Sequence, residues 1–585
     1  MKNDYIIRKT YLSFVVVSIL TSLTATAGML IDNIIVGRSL GPDALGAMGI
    51  VGPISLLFSA VGNLCSGGGG ARAAQALGRG EREQLCIIFT TNTLFVLIVG
   101  GLFTLLGLLL TPQIAVLLGA KAALLEPTKQ YLYGYFLGAI PTIMLSAMMS
   151  FIRIDGSPRL PLVCIAVMSA ANIALDLLMV YVLHQGMFGM AMATSLSYCL
   201  AVATAGTHFL KKESTLRLVW PRHFFCDLGR TVVTGFPMAI SRISDTVKVM
   251  LLNNMLAAFV SVAGVTALNV RMQANNFLGA IMIGVGQAAT PTIGMFFGEE
   301  DRSAVRDTLK ITLRFGLALV MVLAAALLLF PAFFAGLLGV TDGDIMAMSK
   351  TAIRCFAVGM PVYLINTVLL NFYQCTRRVG MAAMICVLQS LVYTVLFAWL
   401  LIHPFGANGV WVAFLLGEIL TLLTVMARVA VKSKSLSLDA VMMLGDDFGG
   451  DEKDRLELSI GNSMDEVMAI SAGIGKFARG RQLDERMLNL LSLCIEEMAG
   501  NVVRHAFKPG EKRWLDLTIV DKPEEVIVRI RDNGRAFDPL AYLNGNAEGY
   551  GIRMIHALAK DVEYRRSLGL NNLIICIGKQ NRIPG

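Results

Sequence analysis

Runs of about 20 apolar residues recur twelve times before residue 430 or so, each long enough to cross a hydrocarbon layer roughly 30 Å thick. They fall near 11–35, 45–70, 86–110, 130–150, 160–183 and 188–210, then near 232–258, 263–297, 311–338, 351–375, 380–402 and 407–430. Lipid offers the backbone no hydrogen-bond partner, so such runs must be helices. The expected fold is a polytopic α-helical membrane protein with 12 transmembrane helices. Lys2, Arg8 and Lys9 before an apolar run ending "ATAG" would suit a secretion leader. The run continues into "MLIDNIIVG" and eleven more follow, so it is read as the first span.

Charge separates two regions. Asp, Glu, Lys and Arg make up 16% of the chain, against about 25% in soluble domains, and they gather after Lys432. The net charge of +9 does not point to nucleic acid. Arg79, Arg82, Arg153, Arg159, Lys211, Lys212, Arg377, Arg378, Lys432 and Lys434 lie on one side of the expected spans. Arg38, Lys121 and Lys350 lie on the other. This positive-inside bias places both termini in the cytoplasm of an inner membrane. The ten Cys include no C-x-x-C pair and read as reduced, apolar filling.

Shifted by about 220 residues, the membrane region aligns with itself. "PDALGAMGI" (42–50) falls on "AGVTALNV" (263–270), and "ARAAQALGRGERE" (71–83) on "TPTIGMFFGEEDR" (290–302). "SFIRIDGSPRLP" (150–161) falls on "NFYQCTRRVGMA" (371–382). Six spans followed by six related ones make two pseudo-symmetric six-helix lobes, with boundaries at 1–220 and 221–432. Transporters are built this way, with the site near mid-membrane. The glycines at 67–70 precede no G-x-x-x-x-G-K-[ST], so they are read as close helix packing and not as a phosphate cradle.

Ionisable groups at membrane depth are costly and carry function. Asp32 lies in the first span and Asp176 in the fifth; Asn172 is one helical turn before Asp176, on the same face. Thr194, in the sixth span, could complete a polar cluster, and the bland alternative for Asp32 is a helix cap at the water interface. Asp245 and Lys248, three apart, read as a structural salt bridge.

"LIDNIIVGRSLGPDALGAMGI", "GGGGARAAQALGRGERE" and "ANIALDLLMVY", in that order, resemble the multidrug and toxic compound extrusion (MATE) transporters over about 10–430. The resemblance implies rocking-type export of organic or cationic compounds, driven by H⁺ or Na⁺. In its DinF-like branch it assigns the cation site to Asp32, Asn172, Asp176 and Thr194. Some members also hold an acid in the tenth span, where this chain has "PVYLINTV" with Asn366.

A polar linker, 433–454, leads into an α+β pattern over 455–585. Strands are expected near 455–460, 514–520 and 525–531, with two closing strands near 562–578, and helices near 464–478, 484–506 and 551–559. "EEMAGNVVRHAF" (496–507), "DNGRAFDP" (532–539) and "GYGIRMI" (549–555) together resemble the α+β sandwich ATP-binding domain of gyrase B, histidine kinases and anti-sigma-factor serine kinases (the GHKL fold). Glu497 and Asn501 share a helix face. Asn501 can offer oxygen to Mg²⁺, and Glu497 can act as a base. The resemblance gives Asp532 to the adenine amino group and Gly534 to close approach of the base. Gly549 and Gly551 open a helix whose N-terminus suits phosphate. The second glycine of the usual D-x-G-x-G is replaced by Ala536, which leaves phosphoryl transfer open.

Two readings follow. One is an ion-coupled exporter of a small organic or cationic substrate, embedded in the bilayer and governed by an ATP-binding, Mg²⁺-dependent tail. The other is a membrane-tethered serine/threonine kinase that uses the transporter fold as a sensor. By analogy, its partner would be a small anti-anti-sigma-like protein.

Overall fold

The computed structural model describes the chain except residues 1–4, 41, 121–123, 212–213, 338–339, 341–342, 446–447, 450–453, 508–512, 543–549 and 580–585. It forms two compact units. One holds Ser13–Glu299 and Thr308–Met443; the other holds the N-terminal residues to Leu12, the segment Glu300–Asp307 and everything from Leu444.

The first half of the membrane region comprises α1 (Tyr5–Ser39), α2 (Pro42–Leu64), α3 (Gly70–Arg79), α4 (Arg82–Leu117), α5 (Leu125–Leu137), α6 (Ala139–Ile154), α7 (Leu160–Leu177) and α8 (Gly186–Gly206). The second comprises α9 (Phe224–Phe259), α10 (Val262–Gly298), α11 (Arg302–Leu329), α12 (Pro331–Leu337), α13 (Gly343–Cys375), α14 (Val379–Val387), α15 (Tyr393–Phe405) and α16 (Ala407–Ser433), before a short α17 (Leu438–Met442). Among the described residues ten helical spans are long and apolar enough to cross a membrane, and α5 with α6, bent by 49°, makes an eleventh. The remaining expected span is α9, 36 residues long, which fails on apolarity because it carries Asp227, Arg230, Arg242, Asp245 and Lys248.

Breaks in these helices have local causes. Between α5 and α6, a Cβ on Gly138 would stand 2.2 Å from Ser195 Oγ. That hydroxyl donates to the Gly134 carbonyl at 2.7 Å, so α8 pushes into the bend. A π-helical turn, Cys65–Gly69, joins α2 to α3. The glycine run there is hemmed in on four sides: added Cβ atoms at Gly67, Gly68, Gly69 and Gly70 would meet Gln374, the Thr231 carbonyl, Asn92 and Ser150, all within 3.0 Å. Each half has a core of its own, one including Phe58, Tyr131 and Phe136, the other Leu252, Trp411 and Phe414. Leu105, Leu109 and Val116 on α4 point outward, as lipid-facing side chains do.

The tail is a five-stranded antiparallel sheet in the order β1-β2-β3-β5-β4. Its strands are β1 (Arg455–Gly461), β2 (Trp514–Asp521), β3 (Glu525–Asp532), β4 (Asp561–Ser567) and β5 (Leu570–Gly578). Its helices are α18 (Met464–Gly480), α19 (Glu485–Asn501) and α20 (Tyr550–Leu558). Val526, Val528 and Ile530 of β3 alternate inward and share a core with Ile474, Leu491, Ile495 and Ile555 from the helices. On the opposite face, Arg455, Arg529 and Arg531 converge on the buried carboxylate of Asp301, at 3.0, 3.3 and 3.2 Å.

Candidate functional site

In the first half, α1 and α7 run unusually close. A Cβ on Gly28, one turn before Asp32, would lie 2.7 Å from Ser169 Oγ. Small side chains at that crossing bring Asp32 and Asp176 together as an interacting carboxyl pair. Asp176 is fully buried. Both its oxygens, and Asp32 Oδ1, lack a hydrogen-bonding donor among the described residues. Asn172 Nδ2 reaches Thr194 Oγ1 at 3.5 Å, and that hydroxyl donates to the Met190 carbonyl at 3.2 Å. The four residues thus lie on three neighbouring helices, with the amide and hydroxyl a turn away from the acids.

Three tyrosines lie near these acids and were not singled out from sequence. Tyr131, Tyr135 and Tyr198 lie within the field of Asp32, and the first two stack with centroids 5.8 Å apart. Tyr131 and Tyr135 are four apart, one helical turn. That spacing was the available signal, but it reads equally as core.

The second half supplies an acid that the tenth expected span lacks. Asn366 is fully buried and donates to Glu418 Oε2 at 2.9 Å and to the Glu418 carbonyl at 3.0 Å. Glu418 comes from α16, so the carboxyl group reaches the Asn366 position from a neighbouring helix. Arg271 is buried, with its guanidinium 3.4 Å from the Phe414 ring centroid and 5.3 Å from that of Phe356. The salt bridge expected between Lys248 and Asp245 is present at 2.8 Å.

In the tail, Glu497 and Asn501 lie on the last turn of α19, both partly buried. Asp532 ends β3 and is nearly fully buried. Its Oδ1 accepts from the Gly534 amide at 2.7 Å and from Asn571 Nδ2 at 2.8 Å. Burial pushes its carboxyl up to about 6, against the pull of those two donors. Asn571, not singled out from sequence, is the hub here. It also donates to the Arg535 carbonyl and accepts from Tyr564 and Arg566. The space a side chain would take at Gly534 is filled by the Ala506 carbonyl, 2.4 Å from the ideal Cβ. That glycine therefore serves the close approach of the turn after α19. Gly551 lies in the first turn of α20, whereas Gly549 lies outside the described residues.

A family model described as MatE matches residues 18–178 and again 237–400, in step with the internal repeat. One for the histidine kinase-like ATPase domain matches 462–577. The multidrug export protein MepA of Staphylococcus saprophyticus is 24% identical over 405 residues, covering 68% of this chain and 88% of that protein. Its Staphylococcus aureus counterpart is 22% identical over 400 residues, covering 68% and 87%. Among solved structures, an outward-facing multidrug resistance MATE family transporter superposes with a TM-score of 0.68 at 20% identity, covering 73% of this chain and 96% of that one. A MATE transporter of Vibrio cholerae gives 0.68 at 19%, covering 74% and 98%. At such identities the likeness is one of fold.

Proposed function

The chain belongs to the MatE family and ends in a histidine kinase-like ATPase domain, and from that premise we propose that it is an ion-coupled antiporter, driven by H⁺ or Na⁺. It exports organic or cationic compounds from the cytoplasm across an inner membrane in which both termini face inward. Its tail binds ATP and regulates export. The export relatives named multidrug support the cargo class.

One observation carries this reading: Asp176 is fully buried with both oxygens unpartnered, beside Asp32. Two carboxylates in a low-dielectric site cannot both stay charged without a cation between them. The pair therefore takes up a proton or Na⁺ from one side and gives it up when the helices rearrange toward the other. Asn172 and Thr194 provide oxygens at the edge of the same site and hold α7 against α8.

In the tail, Asp532 receives the adenine amino group, while Gly551 lies at the start of the phosphate-facing helix. Asn501 has the oxygen that Mg²⁺ on the nucleotide phosphates would use; the metal would neutralise their charge. Glu497, a turn away on the same helix, would hold a proton from an attacking hydroxyl. That placement sustains the second reading, a serine/threonine kinase acting on an anti-anti-sigma-like partner.

Efflux of a fluorescent organic cation from cells tests the proposal with wild type, Asp32→Asn, Asp176→Asn and Asn501→Ala. Export abolished by the Asp changes, and altered only in rate by Asn501→Ala, is the expected result. Export absent from every version, alongside ATP-dependent phosphorylation of a partner, would replace it with the kinase reading.

A further inference from the structure

A polar cavity of about 50 Å³ lies between the two halves of the membrane unit. Asn63, Ser150 and Arg153 line it from the first half, and Gln287, Asn371 and Gln374 from the second. These are partly the same repeat positions meeting face to face, since Ser150 aligns with Asn371 and Arg153 with Gln374. The repeat has kept a cation on one side and a neutral amide on the other.

No Asp or Glu is among the described residues lining the cavity. Arg153 makes one polar contact among the described residues, a hydrogen bond to Gln287 Oε1 stretched to 3.4 Å. A guanidinium has five N–H donors, so most of them have no protein acceptor here. Asn371 and Gln374 each give one amide N–H to a backbone carbonyl, at 2.8 and 3.0 Å, and each keeps another. Arg153 is partly buried, and a desolvated guanidinium with idle donors favours a negative partner. Water needs at least about 10–15 Å³ of such space, so the cavity has room for a small anion.

We propose that this cavity is an anion site shared by the two halves. It takes a chloride-sized ion or a carboxylate head group, received by Arg153 and the remaining amide donors of Asn371 and Gln374. While filled, it ties the halves together. The binding step stands independently of the exporter reading; only the assignment of the anion to a cargo rests on that reading.

The first arm of the test uses purified full-length protein at constant ionic strength, with chloride or acetate replacing the bulky sulfonate MES. Wild type should gain several degrees of melting temperature in either small anion. Arg153→Gln should lose that gain. So should Gln287→Glu, which keeps Arg153 but neutralises it in place. A purely structural Arg153 predicts the reverse for Gln287→Glu: a new ion pair that raises the melting temperature in every buffer and leaves any anion effect intact. That result, or a wild type indifferent to small anions, overturns the proposal. The second arm compares export of a carboxylate-bearing dye with that of a cationic dye. A tenfold or greater loss in Arg153→Gln confined to the carboxylate dye assigns the site to cargo. Unchanged export, with the melting shift intact, assigns it to a free ion. If the Asp32→Asn control also leaves export unchanged, the ion-coupling role of Asp32 fails and the anion site stands on its first arm.

Discussion

Asp532 shows how one buried side chain sets the conditions for the tail. Its carboxyl sits at about 6 in the fold, above the ordinary 3.8 of the free side chain. The folded state therefore holds the proton more tightly than the unfolded chain does. Stability from this group is complete below pH 4 or so and is lost as pH rises through about 6. By neutral pH the ionised form costs roughly 3 kcal/mol, a strain tolerated at a binding site. If Asp532 receives the adenine amino group as proposed, recognition needs the ionised acceptor, and nucleotide affinity should fall as pH drops below about 6. Asp532→Asn should bind weakly at every pH while melting higher at pH 7; fluorescence titration of a labelled ATP analogue and thermal melts check both. Near this residue the chain was partly legible. "DNG" marks Asp532, but nothing in the sequence says that Asn571, on β5, supplies its second donor.

At the scale of elements, the glycine run between α2 and α3 makes packing a matter of backbone. A Cβ on Gly68 would sit 2.2 Å from the Thr231 carbonyl and 2.7 Å from the Gly235 amide, neither of which can rotate away. Gly68→Ala should therefore cost several kcal/mol and collapse the folded yield seen by size-exclusion chromatography in detergent. Gly101→Ala, with open space around its Cβ, should leave the yield unchanged or gain up to about 1 kcal/mol. The helices themselves were legible because lipid demands long apolar runs. Their breaks were not, because the bend at Gly138 is made by Ser195 from α8. The acids divide in the same way. Asp32 and Asp176 stand out in apolar runs with a family phrase around them. Glu418 gains meaning only through Asn366, far away in sequence on another helix. Glu418→Gln should shift the pH dependence of export if that acid titrates during the cycle, and leave it unmoved if the acid only anchors α13 to α16.

For the molecule as a whole, the question is how nucleotide in the tail could reach helices that move cargo. Within the unit that contains the tail, Asp301 is almost fully buried and takes Arg455 from β1 with Arg529 and Arg531 from β3. In the sequence "GEEDR" stands out only as the end of a repeat segment, so this cluster was invisible there. The same β3 ends at Asp532, the adenine acceptor proposed above. The residue after Asp301 begins α11, which runs on into the membrane unit. One strand thus carries both the proposed nucleotide contact and arginines paired with the residue that precedes a spanning helix. Removing one member of a buried ion cluster typically costs about 3–5 kcal/mol, because the remaining charges stay buried without it. Asp301→Asn should therefore release α11 from whatever the nucleotide state imposes. If that is the route, export in Asp301→Asn cells should lose its response to Asn501→Ala. The double variant should then match Asp301→Asn alone, and the two effects should fail to add. Additive effects on the efflux rate would instead show that the two act independently, and that the tail reaches the transporter by another path.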